Sequence, residues 1–353
     1  MTKYQAGMRI SEYVLENCIG SGTFGEVWQA RHHVWDSEHV AVKLPTEPEY
    51  VRYLQREGVV VHGLRHANII RVIGFDPFAE NPYLVMELVR GPSLRQVIDE
   101  HPTGLSIDVT LCVLRGLLRA MEAAHAGGVL HRDLKPGNVL LDLNERPIEE
   151  LTVDDVKIGD FGLGVKNAES LRSIAQSASL AREDQLVGTL AYMASEVRDG
   201  DLKPDARSDL YSVGVVLFEM LTGERPAGAE LPSTVRAQTP PGLDEVFRRL
   251  YARHDRRYEN ARAVLDDLDA RLTVKRPSVV MVPPPPPPRL GVVGKPDYCP
   301  RCQHVVGPDD QFCTQCRYQL VPHVRRCPSC DGYPGLHDRF CIFCGAALPD
   351  EEE

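Results

Sequence analysis

At 353 residues the chain is too long for one ordinary small domain and long enough to bury a sizeable core, so two or more folded units are expected. A hydrophobic fraction of 43% and a charged fraction of 25% are those of a globular protein, and no uninterrupted apolar run has the length that spans a bilayer, which argues against a membrane protein. The net charge of -10 disfavours bulk attraction to nucleic acid, which depends on neutralising phosphates with lysine and arginine.

In chain order, Met1 to Ile10 lack the apolar stretch and cleavage site of a secretory signal, so a cytoplasmic protein is expected. From Tyr13 to Leu272 short β-branched runs alternate with longer helical patterns. The run Gly20-Ser21-Gly22-Thr23-Phe24-Gly25-Glu26-Val27 places glycines where a hairpin backbone must approach phosphates closely, although glycine-rich hairpins also occur as ordinary turns. Glu26 to Arg31 read as a returning strand, whereas a dinucleotide fold requires a helix there. In Val40-Ala41-Val42-Lys43 a lysine interrupts a β-branched run, where burial is costly unless an anion partners it. Glu57, on a helical stretch, is placed to face it. Then come His131-Arg132-Asp133-Leu134-Lys135-Pro136-Gly137-Asn138, which fixes a carboxylate, a lysine and an amide within eight positions, and Ile158-Gly159-Asp160-Phe161-Gly162, a carboxylate at a strand end beside glycines.

Over Tyr13 to Leu272 these ordered motifs resemble the protein kinase family, in its serine/threonine branch. The resemblance implies an α+β bilobal fold: an N-terminal lobe with an antiparallel sheet plus one helix, and a mostly helical C-terminal lobe. It implies that Lys43 contacts the phosphates of ATP and pairs with Glu57, that Asn138 and Asp160 hold magnesium, that Asp133 orients the substrate hydroxyl and accepts its proton, and that Lys135 stabilises the transferring phosphoryl group. Lys135 and Gly188-Thr189 follow the serine/threonine pattern, with Thr189 near Asp133. Ile19, Val27, Ala41 and Leu140 match positions that sandwich adenine, Met86 that of the gatekeeper, and Glu87 and Val89 those of backbone hydrogen bonding; Gly20, Ser21, Gly22 and Gly25 form the phosphate loop. The resemblance also implies protein substrates bearing Ser or Thr, and a homodimer for autophosphorylation. Arg132 would receive a phosphate carried by the activation segment, where Ser170, Ser173, Ser177 and Ser179 are candidates beside Thr189.

The sequence departs from the pattern at Met193-Ala194-Ser195-Glu196, where a proline usually precedes the glutamate; Glu196 is still expected to pair with an arginine near the last helix, with Arg257 the candidate. Residues 142–156 are longer than usual, and their acidic side chains suggest a solvated loop. No chemically necessary side chain is missing, so an active enzyme is expected; the alternative is an ATP-binding, pseudokinase-like scaffold.

Residues 273–296 form a proline-rich linker in which Pro283 to Pro288 favour an extended rod, read as a semi-rigid spacer, with a docking site for a proline-recognising domain as the alternative. Of ten cysteines, eight fall between Cys299 and Cys344, as two Cys-x-x-Cys…Cys-x-x-Cys repeats offset by 28 residues. Four thiolates per repeat are the number and type that a closed tetrahedral zinc site requires. The simplest assignment puts Cys299, Cys302, Cys313 and Cys316 on one zinc and Cys327, Cys330, Cys341 and Cys344 on the other; a crossed pairing satisfies the same spacing, and an iron-sulfur cluster or redox dithiols use the same residues. Residues 297–346 resemble tandem zinc ribbons, and 347–353 read as an acidic, disordered tail. Arginines and aspartates are nearly balanced there, which favours a protein partner over nucleic acid.

Overall fold

The computed structural model describes residues 3–22, 25–47, 50–51, 54–55, 58, 62–161, 190–273, 298–307, 310–335, 338–341 and 343–348. They fall into two units, Met1–Lys275 and Arg276–Glu353.

The first unit opens with six strands: β1 (Arg9–Ile10), β2 (Tyr13–Gly22), β3 (Gly25–His32), β4 (His39–Leu44), β5 (Val72–Asp76) and β6 (Tyr83–Glu87). They make one sheet in the order β1-β2-β3-β4-β6-β5, with every pairing antiparallel. Side chains alternate between faces along a strand. In β4 that alternation sends Val40, Val42 and Leu44 into a core with Tyr4, Ile10, Leu15, Trp28 and Ala30, while Ala41 joins a second core with Leu54, Ile70, Leu84 and Met86. Lys43, two residues after Ala41, therefore emerges on the same face as the second core. The packed unit begins before Tyr13, since Tyr4 is buried and its hydroxyl donates to Pro45 O at 2.9 Å. Val51, Leu54, Gln55, Gly58 and His62 have helical backbone between β4 and β5.

The rest of this unit is mainly helical: α1 (Leu94–Glu100), α2 (Ile107–Ala126), α3 (Ser195–Arg198), α4 (Ala206–Thr222), α5 (Pro232–Val235), α6 (Pro241–Leu250) and α7 (Ala261–Thr273), with a hairpin of β7 (Val139–Leu141) and β8 (Val156–Ile158). Helix starts are capped by side chains: Ser93 and Gln96 form a capping box on α1, Ser106 accepts from Val109 N on α2, and Asp205 with Ser208 boxes α4. α4 ends at Gly223, whose φ of 84° suits a residue without Cβ. From Val213 to Thr222 every residue of α4 is buried, so this helix is the axis of the lobe.

In residues 142–156 Glu145, Glu149, Glu150 and Asp154 are exposed, as the acidic composition suggests, but the segment is shaped and packed on one side. Two 3-10 turns, Ile148–Glu150 and Val153–Asp155, shape the segment, and Ile148 and Leu151 pack against the large helical core. Asn68 Nδ2 donates to Val153 O at 2.5 Å and Val156 O at 2.9 Å, and the Cys112 thiol donates to Leu151 O at 3.2 Å.

In the second unit each cysteine pair makes the same turn. Gln303, Arg317, Asp331 and Gly345, each four residues after the first cysteine of its pair, have positive φ and donate N–H to that cysteine's carbonyl at 2.8 to 2.9 Å. Isolated bridges join Tyr298 to Val305, Phe312 to Gln319 and Phe340 to Ala347. The second ribbon extends past residue 346: Leu348 is buried in its core and donates N–H to Arg339 O at 3.0 Å, which moves the start of the acidic tail beyond Leu348.

Candidate active site and metal centres

The loop before β7 is held from beneath by α4. Asp209, buried near the start of that helix, accepts hydrogen bonds from His131 N at 2.9 Å and Arg132 N at 2.9 Å, and lies 2.8 Å from His125 Nε2. Arg132 consequently sits at φ 66°, a conformation that costs free energy for a non-glycine residue and persists only where neighbours fix it. His131 is buried; its Nε2 lies 3.0 Å from Gly159 O, its Nδ1 accepts from Asp133 N at 3.3 Å, and its ring packs on Phe161 at 4.6 Å. Burial pushes its pKa below the ordinary imidazole value, against the pull of Asp209, Asp133 and Asp160, so the ring is a neutral strut.

Three of the sequence-identified polar residues meet on that strut. Lys135 Nζ donates to the Asp133 carboxylate at 2.9 and 3.2 Å. Asn138 Nδ2 donates to Asp133 O at 2.7 Å and Asp133 Oδ2 at 3.2 Å, which commits the amide nitrogen and leaves Oδ1 as the acceptor. Gly159 N donates to Asn138 O at 3.0 Å, tying this loop to the segment that carries Asp160. Asp160, at φ 60°, accepts from Lys43 Nζ at 2.7 Å, across 117 positions of sequence. Lys43 is buried, so its charge is tolerable only beside such a partner. Glu57 and Thr189 lie outside the described residues, as do Ser170, Ser173, Ser177 and Ser179.

Above these groups, Val27, Ala41, Met86, Val89 and Leu140 share one apolar cluster with Leu88, whereas Ile19 stands 49% exposed at the edge. The register Val27↔Lys43 and Ala41↔Met86 brings the wall residues level with the lysine. Gly22 pairs with Gly25 at the β2–β3 turn. A Cβ at Gly25 would sit 2.2 Å from Leu44 O, so this glycine is required by the close passage of β3 past β4, whatever it does for a ligand. The Glu87 carboxylate accepts from Arg71 N at 2.8 Å, which anchors the end of β6.

Sequence reasoning missed two carboxylates. Asp209 is one. The other is Glu219, also buried on α4, which accepts from Arg95 at 2.6 Å and from the Tyr192 hydroxyl at 2.6 Å. The available signal was chemical: an acidic residue inside an otherwise apolar helix must have a partner. Glu196 does pair with Arg257, through two hydrogen bonds of 2.5 and 2.9 Å.

The cysteines gather as two tetrads, Cys299, Cys302, Cys313, Cys316 and Cys327, Cys330, Cys341, Cys344, with all sulfurs of a tetrad within 4.8 Å of one another. The Sγ separations Cys299–Cys316 of 3.5 Å and Cys302–Cys313 of 3.6 Å are matched by 3.6 Å for both Cys327–Cys344 and Cys330–Cys341. A tetrahedral zinc with Zn–S of about 2.3 Å needs sulfurs about 3.8 Å apart, so the donor set and the space fit that ion. The crowded thiols of the first tetrad split: against burial, backbone N–H groups of Cys302 and Arg301 bring Cys299 down to about 7, while, against the backbone N–H of His304, burial and the neighbouring thiols push Cys302 up to about 12.

The model of the protein kinase domain matches residues 13–282. The chain belongs to the protein kinase family. A double zinc ribbon matches residues 299–345. Among curated relatives, the serine/threonine-protein kinase PknL of Mycobacterium tuberculosis is 32% identical over 282 residues, covering 74% of this chain and 65% of that one. Serine/threonine-protein kinase A of a Synechocystis species is 34% identical over 232 residues, covering 61% of this chain and 41% of that one. A probable serine/threonine-protein kinase of Streptomyces coelicolor is 31% identical over 283 residues, 73% of this chain and 39% of its own. The chain thus spans less than two thirds of the length of each of these relatives. Among solved structures, the kinase domain of Mycobacterium tuberculosis PknI superposes with a TM-score of 0.57 at 22% identity, covering 76% of this chain and 99% of that domain, a likeness of fold. The kinase domain implies use of ATP and a metal, and the ribbons with their cysteine tetrads imply zinc. Among the described residues no helix is long and apolar enough to cross a membrane.

Proposed function

We propose that this chain transfers the γ-phosphoryl group of ATP to serine and threonine hydroxyls of proteins. The reading is carried by the convergence of Lys135 and Asn138 on the Asp133 carboxylate, one loop away from the Lys43–Asp160 pair. Asp133 accepts a hydrogen bond from the substrate hydroxyl and takes its proton as that oxygen bonds to phosphorus and the bond from phosphorus to the β,γ-bridging oxygen breaks. Lys135, already on Asp133, is positioned to bear on the charge of the group in flight. Lys43 binds phosphate oxygens and is held by Glu57; Thr189 steadies Asp133; Gly20, Ser21, Gly22 and Gly25 cover the phosphates. Ile19, Val27, Ala41 and Leu140 enclose adenine, with hydrogen bonds from the backbone of Glu87 and Val89. Asn138 Oδ1 and the Asp160 carboxylate are hard oxygen donors suited to magnesium, which when bound neutralises phosphate charge.

The division that goes with this is a kinase domain over 13–272 with the preceding residues packed on its sheet, a linker over 273–296, two structurally zinc-bound ribbons from 297 and a short acidic tail. The ribbons dock a protein partner or regulate the kinase, the chain acts in the cytoplasm, and pairs of chains phosphorylate each other. The test is transfer of labelled phosphate to the protein itself and to a generic basic protein, with magnesium, beside Asp133→Asn. The substitution is expected to reduce transfer by roughly a hundred- to ten-thousandfold. Equal label in both proteins, or none in the parent despite bound ATP, would sink the reading and leave a nucleotide-binding scaffold.

A further inference from the structure

The two ribbons are built alike, and the way one covers the other shows what the uncovered faces fit. Within each ribbon the same turn recurs: Gly307 N donates to Asp310 Oδ2 at 2.7 Å, and Gly335 N to Asp338 Oδ2 at 2.7 Å. Each therefore presents the same two faces. One holds a pair of side chains: the bridged Tyr298 and Val305 in the first ribbon and, at the positions 28 residues on, Arg326 over the Tyr333 ring in the second. The other is a single aromatic, Phe312 in the first and Phe340 in the second.

Inside the chain the aromatic of the first ribbon meets the pair of the second. Phe312 packs edge-on against Tyr333 with ring centroids 5.1 Å apart, and Arg326 lies over the same Tyr333 ring at 5.2 Å. Beside them the buried Gln311 amide accepts from Arg325 N at 2.5 Å and donates to Arg325 O at 3.0 Å and Pro334 O at 2.5 Å. This contact leaves two faces over: the pair of the first ribbon and the aromatic of the second. Tyr298 is 56% exposed, Val305 65% and Phe340 62%. These are the two halves of a contact the chain already makes once.

We propose that a second copy of this chain occupies them, Phe340 of one copy packing on Tyr298 and Val305 of the other. Arg339, which stands where the first ribbon has Gln311, brings a cation to a face that carries a tyrosine, as Arg326 does within the chain. The contact is head-to-tail, so each chain has one donor face and one acceptor face, and association runs on into an open chain unless its rotation closes a ring. A contact of this size is weak and transient, so it acts at high local concentration. It would bring two kinase domains together, and it rests on the reading of the tail as a zinc-loaded docking module.

The experiment is sedimentation of the full-length chain over a concentration series, with zinc content measured on every sample, beside Phe340→Asp and Val305→Asp. With two zinc ions per chain, the mass of the parent is expected to rise with concentration, and each variant alone to stay at the monomer mass. An equimolar mixture of the two variants retains one intact face on each and is expected to recover a dimer and nothing larger. A parent that stays monomeric with full zinc, association that neither substitution changes, or a mixture that stays monomeric overturns the contact alone. A parent without zinc overturns the docking-module reading together with it.

Discussion

Asp209 accepts three polar hydrogens that belong to the loop and helix around Asp133, two of them from backbone N–H groups. Truncation to alanine strands those donors, at about 1 to 3 kcal/mol each. Asp209→Ala is therefore expected to lower the unfolding free energy by several kcal/mol, at the upper end of single substitutions, and to lower phosphate transfer with it. Asp209→Asn keeps one acceptor oxygen and should fall between. Urea denaturation with transfer assays measures both, and an unchanged midpoint for the alanine variant would refute the anchoring role.

Buried His131 and half-buried Glu196 both contribute to the response to acid. His131 is held by burial below its ordinary value of 6.5, so as pH falls through that value the unfolded chain takes a proton that the folded one refuses, and stability declines. For Glu196, burial raises the carboxyl but the paired Arg257 outweighs it and holds it below 4.5; its contribution is complete above that value and is lost as pH falls through the depressed folded value. Both act in the same direction, in successive windows. The denaturation midpoint is expected to begin falling near pH 6.5 and to fall again below 4.5. Arg257→Met should shrink the second step, to which Asp155 and Asp267 also contribute, while costing about 1 to 3 kcal/mol at neutral pH, since it leaves a half-buried carboxylate unpaired. A midpoint that is flat from about pH 7 to 5 would contradict the first step.

At the scale of elements, α2 lies against β8 through Gly116, where an added Cβ would meet Val156 Cβ at 2.5 Å. Helix propensity alone favours alanine over glycine by about 1 kcal/mol, whereas forcing a methyl into a filled interface costs about 1 to 3 kcal/mol. The collision is with a β-branched side chain on a strand, which cannot swing aside, so packing decides the sign. Gly116→Ala is expected to destabilise, and calorimetry showing a higher Tm would mean that the helix and the strand separate more easily than their contacts indicate. β8 ends two residues before Asp160, so the same strain reaches the Lys43 pair.

The legibility of these features in the sequence depends on how local each one is. The loop from His131 to Asn138 could be read because its chemistry is packed into eight consecutive residues, and the cysteine tetrads because ligand spacing is short. Asp209 and Glu219 were not read: their partners lie 27 to 124 positions away, and only the apolar neighbourhood of α4 hinted that they needed any. In residues 142–156 the acidic side chains Glu145, Glu149, Glu150 and Asp154 do face water, but the packing of their apolar neighbours was not read. Ile148 and Leu151, partly buried, pack against the helical core, and Arg146 binds Asp155 at 2.7 Å, so the charges decorate a packed segment.

At the scale of the whole molecule each unit has its own apolar clusters among the described residues: those of the kinase unit draw on residues from Tyr4 to Leu272, and those of the ribbons on Cys299 to Leu348. The ribbon clusters are so small that cysteines are their main members, and metal at an apparent ~10 to 16 kcal/mol per structural site is what would hold them. The two are also unequal. The first ribbon packs Val306, Tyr318 and Leu320 around its cysteines; among the described residues the second has only Ala346 and Leu348, and Cys344 is exposed where Cys316 is half-buried. Rising chelator is therefore expected to empty the second tetrad first, making Cys327, Cys330, Cys341 and Cys344 reactive to alkylation before the other four. Loss of that ribbon removes the partners of Gln311 and Phe312, so the first ribbon should give way at higher chelator. The thermal transition of the kinase unit should persist throughout, because its core residues, among those described, run only from Tyr4 to Leu272. Mass spectrometry of alkylated peptides along the titration reads the order, and simultaneous labelling of all eight cysteines would show that the ribbons stand or fall together despite their unequal cores.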